Sequence, residues 1–199
     1  MNYLAHAYLS FNQPEILAGN MISDFVRGKK KFDYSDLIQR GIALHRSIDG
    51  FTDDHPATRE AKKWFRPAYG LYSGAFVDIV YDHFLALDPA EFPGDSLAVF
   101  ARNTYLMLGQ REPGLPDGFR SVFHHMRLHD WLSNYRYKEA IKRSFGGLVH
   151  RAAYMHEHET AFGIFERYYK ELKKDYQDFF PALKSFAREQ FTQLTQGLP

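Results

Sequence analysis

His45 and Asp49 stand four residues apart in the stretch Gly41–Pro56, and on a helix that spacing makes an imidazole and a carboxylate neighbours on one face. Leu37, Gly41, Leu44 and Ile48 recur at helical spacing, so the segment before Gly50 is expected to form an amphipathic helix with Gly50 as its stop. Winding that segment at about 100° per residue puts His45 and Asp49 in the inward half, beside Ile38 and Ile42. Asp36, Gln39, Arg40, Ala43 and Ser47 take the wet face. Polar groups in an apolar arc need partners. The pair is therefore either a hydrogen bond that pins a core helix or part of a working site.

Other acids sit in comparable settings. Asp24 lies between Ile22 and Phe25, as a cap for a following turn or as a ligand. Asp78 and Asp82, again four apart, form the only acidic strip on Gly74–Leu87, a helix apolar nearly all round. Two acids on a largely buried helix call for a cation between them. His83 lies on the same helix but faces away from both. His6 falls beside Leu4, Ala5, Tyr8 and Leu9 in a short helix expected over Asn2–Phe11. His129-Asp130 sits at a helix-to-loop junction with no second acid nearby in sequence, so it is set aside. His150, His156 and His158 are assigned to surface or packing.

These residues require helices to hold them, and helical periodicity runs nearly end to end. The expectation is one all-α domain over residues 1–199, a helical bundle without a sheet. Pro14 opens a helix through Gly19, where the missing side chain lets another backbone come close. Asp54-His55-Pro56 starts the next, which Pro67 and Gly70 are expected to break. Later helices are expected over 97–108, from Asp117, over 137–149 and over 160–180, with Pro181 opening a last one. The chain has 199 residues, 45% hydrophobic and 17% aromatic, so a large core is within reach. A net charge of +1 argues against a nucleic-acid coat, and the lack of cysteine excludes thiolate sites, leaving His, Asp and Glu for any metal. No apolar run reaches about 18 residues and no signal pattern opens the chain, so a cytoplasmic protein with no membrane contact is expected.

Four blocks in order resemble the acyl carrier protein phosphodiesterase family: Met1-Asn2-Tyr3-Leu4-Ala5-His6; Gly19-Asn20 with Asp24-Phe25-Val26-Arg27-Gly28; Gly41-Ile42, His45-Arg46, Ile48-Asp49, Thr52-Asp53 and His55-Pro56; and Asp78 with Asp82-His83-Phe84-Leu85. The resemblance covers roughly the first 90 residues well. It implies a divergent all-helical HD-type metal phosphohydrolase. Such an enzyme removes the 4′-phosphopantetheine arm from holo acyl carrier protein with a divalent metal, commonly Mn2+, with Mg2+ as the other option. The HD dipeptide stands reversed here, as Asp82-His83. On this reading Asp24, His45, Asp78, Asp82 and His83 bind the metal, with His6 in reserve. Asp49 orients His45 or acts as base, and Arg46 or Arg27 clamps the phosphate with its planar fork. Arg27, Lys29, Lys30 and Lys31, with Lys62, Lys63 and Arg66, would steer an acidic carrier protein. Two other readings compete: a phosphohydrolase of a small phosphoester or nucleotide, and a carrier-protein binding module without catalysis.

Overall fold

A computed structural model describes residues 1–152 and 157–196. The described residues form α-helices and short 3₁₀ turns, with no strand. In order these are α1 (Tyr3–Tyr8), α2 (Pro14–Ile22), α3 (Asp36–Asp54), α4 (Pro56–Tyr69), α5 (Ser73–Ala86), α6 (Ser96–Gly109), α7 (Asp117–Leu128), α8 (Trp131–Asn134), α9 (Lys138–Arg151), α10 (Glu159–Arg167) and α11 (Tyr169–Thr195). The all-α expectation holds.

Local chemistry sets the helix starts nearest the site. The Asn2 side chain accepts from the Tyr3 N–H at 3.0 Å and opens α1. The Gln13 side chain accepts from the Ile16 N–H at 2.7 Å, with Pro14 in the first turn of α2. His55 plays the same part for α4, accepting from Ala57 N–H at 3.3 Å ahead of Pro56.

Helix α5 runs through the middle of the bundle, with Phe76, Val77, Val80, Tyr81 and Leu85 excluded from solvent. An aromatic core surrounds it, in which Phe65 stacks on Phe76 and Phe145 packs edge-on to Phe76. Helices α2 and α3 make the tightest pairing. A Cβ at Gly19 would overlap the Ile38 carbonyl oxygen and would come within 2.9 Å of the Gly41 Cα; a Cβ at Gly41 would overlap the Ile16 carbonyl oxygen. The two glycines thus allow backbone to touch backbone, as the sequence suggested for Gly19. The site depends on this contact.

Several boundaries differ from the sequence reading, the first being α1, which ends at Tyr8 and not at Phe11. Gly50 does not stop α3, which continues to Asp54 because Phe51 stacks on Phe186 and Thr52 is buried. Pro67 lies inside the last turn of α4, and the break comes at Gly70, where φ is +52°. Pro181 lies inside α11. Both prolines and the residues four before them, Lys63 and Gln177, are exposed, so water can satisfy the freed carbonyls.

Candidate metal centre

Helix α1 contributes His6, α2 contributes Asn20, and α3 contributes His45 and Asp49. The imidazoles of His6 and His45 stack face to face, with centroids 3.9 Å apart and planes 13° from parallel. Both point Nε2 at one carboxylate: His6 Nε2 lies 3.2 Å from Asp49 Oδ1 and His45 Nε2 lies 3.0 Å from Asp49 Oδ2. Asp24 reaches in from the solvent side, with Oδ1 3.3 Å from His45 Nε2. Among the described residues His6, His45 and Asp49 form a group whose ligand atoms lie within 4.8 Å of one another.

The far side of each ring explains what the near side can do. Asn20 is fully buried, and its Nδ2 donates to the His6 carbonyl at 2.9 Å and to Ser10 Oγ at 3.0 Å. Those two acceptors fix the amide orientation, so Oδ1 faces His6 Nδ1 at 2.8 Å as an acceptor. The Asn20 backbone carbonyl accepts from His45 Nδ1 at 2.7 Å. One residue thereby holds both imidazoles with Nδ1 as donor, which leaves the Nε2 lone pairs aimed at Asp49 in the neutral rings. Both Nε2 atoms are buried and make no hydrogen bond despite their closeness to carboxylate oxygens. Lone pairs directed at a carboxylate repel it unless a cation lies between them. The group therefore fits a divalent metal.

Without a metal, protons must do that work. Burial lowers the basicity of His45, but Asp24 and Asp49 more than offset it and raise its pKa to about 9. His6, buried and beside His45, is lowered to about 4. Burial alone would raise Asp49, yet His45 and His6 hold it far below the usual carboxylate range. Asp24 is lowered by its contact with His45.

Several expected ligands are used differently. The Asp78 carboxylate lies 3.1 Å from the Met1 ammonium, which also sits 3.5 Å from Asp49. The cation called for beside Asp78 is thus supplied by the N-terminal amine. Asp82 is fully buried under the start of α1: Oδ2 accepts from the Leu4 N–H at 2.7 Å, and Oδ1 from those of Asn2 and Ala5 at 3.3 Å each. It closes the unpaired amides of a helix end, where the helix dipole also favours an anion. Burial still pushes its carboxyl up to about 7. His83 has Nδ1 2.7 Å from the Tyr135 carbonyl and Nε2 2.9 Å from the Tyr169 hydroxyl, pointing away from His45. The expected convergence of Asp24, His45 and Asp82 is therefore corrected: Asp24 and His45 meet, and Asp82 does not join them.

His6, Asn20, Asp24, His45 and Asp78 line a cavity of about 350 Å³. Arg27 and Arg46 are exposed and line no part of it, because Arg27 lies beyond the turn after Asp24 and Arg46 falls on the outer face of α3. The arginine on the cavity wall is Arg151, at the end of α9. No early motif points to it. Asn20 did leave a signal, as the lone amide in an otherwise apolar run from Ile16 to Ile22. The set-aside Asp130 accepts from the Tyr105 hydroxyl at 3.1 Å. His150 is exposed, His158 lies 3.7 Å from Glu159, and His156 is outside the described residues.

Comparison with known proteins gives the family of the chain. A model of the family described as acyl carrier protein phosphodiesterase matches residues 1–183. A protein of that name from Enterobacter sp. is 30% identical over 184 residues, covering 92% of this chain and 95% of its own. One from Klebsiella pneumoniae is 30% identical over 188 residues, with 94% and 97% covered. The Escherichia coli relative is 29% identical over 192 residues, with the same two shares. No solved structure matches. With the family match running from Met1 through most of α11, the chain belongs to the acyl carrier protein phosphodiesterase family.

Proposed function

We propose that the chain is a metal-dependent phosphodiesterase that releases 4′-phosphopantetheine from holo acyl carrier protein, leaving the apo protein. The observation that carries the metal reading is the pair of buried, unpaired Nε2 atoms directed at Asp49. Family membership carries the substrate.

The ligands on this reading are His6, His45 and Asp49, with Asp24 completing the set from the solvent side. This promotes His6 from its reserve position and moves Asp49 from orienting residue to ligand. The carboxylates suit Mn2+ or Mg2+, the two imidazoles favour Mn2+ over Mg2+, and the lack of sulfur speaks against ions that prefer thiolate. The bound ion would neutralise phosphate oxygens and make its water acidic enough to attack. Asn20 keeps both rings in the ligating tautomer. Arg151, on the wall of the same cavity, takes the phosphate oxygens in place of Arg27 and Arg46. The Met1 ammonium, raised to about 10, adds positive charge to that wall at neutral pH. The bond from phosphorus to the carrier serine oxygen breaks, and the serine keeps that oxygen as its hydroxyl.

A protein substrate is supported by the turn after Asp24. Arg27, Lys29 and Lys30 are exposed there, Lys31 is half-buried, and none of the four forms an ion pair among the described residues. Lys62 and Lys63 are tied instead to Asp53 at 2.7 Å and Glu60 at 2.6 Å, which leaves the first group, with Arg66 exposed and without an ion pair among the described residues, as the steering charge. Among the described residues no helix is long and apolar enough to cross a membrane. A cytoplasmic site of action, one functional domain over the whole chain and kinship with HD-type phosphohydrolases belong to the same proposal. All-helical architecture and paired His and Asp side chains support that kinship.

The test is incubation of the purified protein with holo acyl carrier protein and Mn2+, read by intact mass. The expected result is loss of the phosphopantetheine mass, abolished by chelation. An unchanged carrier protein with every divalent metal tried would overturn the proposal.

A further inference from the structure

A second cavity, of about 400 Å³, adjoins the metal cavity on the side of α8 and α9. The two share Asn2, Tyr3, Ile79 and Arg151 as lining residues, so the second begins where the first ends. Its size falls within the roughly 300–1,000 Å³ of small-molecule sites. Tyr3 and Trp131 supply aromatic wall, with centroids 6.2 Å apart. Ser144, Asn134 and Arg143 supply polar groups along the same wall. Nothing in the metal chemistry uses this space.

We propose that this cavity holds the pantetheine arm of the substrate, with Arg151 at the junction on the phosphate that joins arm to serine. The inference rests on the phosphodiesterase reading. A phosphodiester has two substituents. The serine belongs to a folded protein and must stay at the solvent mouth, on the side of Asp24 and the basic turn. The other substituent is a slim chain with a branched apolar end, two amides and a thiol, and it must leave the phosphate in another direction. A cavity opening past Arg151, with aromatic walls and a few hydroxyl, amide and guanidinium groups, matches that chain. A small phosphoester without an arm would leave the space unused.

Gly147 gives a direct test. It lies on the wall of this cavity in α9, outside the lining of the metal cavity, and a Cβ there would meet nothing within 4 Å. Gly147→Phe therefore adds its Cβ without a clash and brings a ring to the wall of the space, and loss of a helical glycine does not weaken α9. The readout is the ratio of kcat/KM for holo acyl carrier protein to that for bis(p-nitrophenyl) phosphate. The ratio should fall by about tenfold or more in Gly147→Phe and stay within about twofold in Gly147→Ala, which leaves room for the arm. A binding readout stands beside it. Pantetheine, which has no phosphate, should shift the Trp131 indole N–H resonance of the metal-free protein, and Gly147→Phe should abolish the shift. An unaltered ratio, or no pantetheine shift in the wild type, overturns the cavity assignment and leaves the phosphodiesterase standing. Equal loss on both substrates also overturns it, because the ring would then act through the metal cavity. A wild type that cleaves the small diester and never the carrier protein overturns the functional reading, and the arm site with it.

Discussion

Asn20→Ala should separate the metal-binding role of the histidines from their packing role. The substitution removes three side-chain hydrogen bonds, Oδ1 with His6 Nδ1 at 2.8 Å and Nδ2 to the His6 carbonyl and Ser10 Oγ at 2.9 and 3.0 Å. The His6 carbonyl keeps a donor, since Ser10 Oγ reaches it at 2.8 Å. His6 Nδ1 keeps no partner. At about 1 kcal/mol for each hydrogen bond, plus about 1–3 kcal/mol for a stranded buried donor, the loss of stability comes to about 4–6 kcal/mol. The freed ring can move its proton to Nε2, where Asp49 Oδ1 at 3.2 Å accepts it. That tautomer cannot ligate through Nε2, so metal affinity should fall by about 10- to 100-fold. His45 retains its backbone partner, the Asn20 carbonyl, and loses less. The assays are urea unfolding for stability and calorimetric titration with Mn2+ at a temperature where the variant is folded. A folded variant with wild-type Mn2+ affinity would refute the reasoning, since Asn20 would then be packing alone.

Three other outcomes follow from the same geometry. In the metal-free protein the pKa of His45 is raised from 6.5 to about 9, so its contribution to stability is fully present below pH 6.5 and lost as pH rises through 9. Metal must displace that proton, so Mn2+ affinity should rise about tenfold per pH unit between roughly pH 6.5 and 9; a flat profile by calorimetry would contradict it. Asp82→Ala strips three α1 amides of their acceptor and should cost about 3–5 kcal/mol in urea unfolding, with one metal per folded chain retained by elemental analysis; loss of metal from a folded variant would restore Asp82 as a ligand. Reversing Lys29, Lys30 and Lys31 to Glu should raise KM for holo acyl carrier protein and flatten its dependence on salt, because exposed charges are screened over about 8–10 Å. Turnover of a small diester should change little, and equal losses on both substrates would place the lysines in the site rather than on a steering edge.

The parts of this arrangement that depend on a single helix were legible in the sequence. His45 and Asp49 share α3, so their spacing alone makes them neighbours, and α5 announces its burial by being apolar nearly all round. The close approach at Gly19 was legible as well, since a glycine in an apolar helix invites backbone contact. What stayed hidden depends on which helices meet. Asp78 and Asp82 read as a metal pair because an acidic strip on a buried helix needs positive charge. The N-terminal ammonium and the amide end of α1 meet that need, and both come from residues some 80 positions away. His6 gains its role only when α1 packs on α2 and α5 and brings its ring against that of His45. Arg151 enters the cavity from α9, far from every early motif. Pro67 and Pro181 show a different limit, because a proline ends a helix only where the carbonyl it frees cannot reach water.

The central claim is that His6, His45 and Asp49 hold a divalent metal. Anomalous diffraction from a crystal of this protein soaked in Mn2+ tests it most directly. One strong peak is expected between His6 Nε2, His45 Nε2 and the Asp49 carboxylate, at about 2.0–2.3 Å from its ligands, lost in crystals of Asp49→Ala. A peak held by Asp78 and Asp82 instead, or no peak at any soaking concentration, would contradict it.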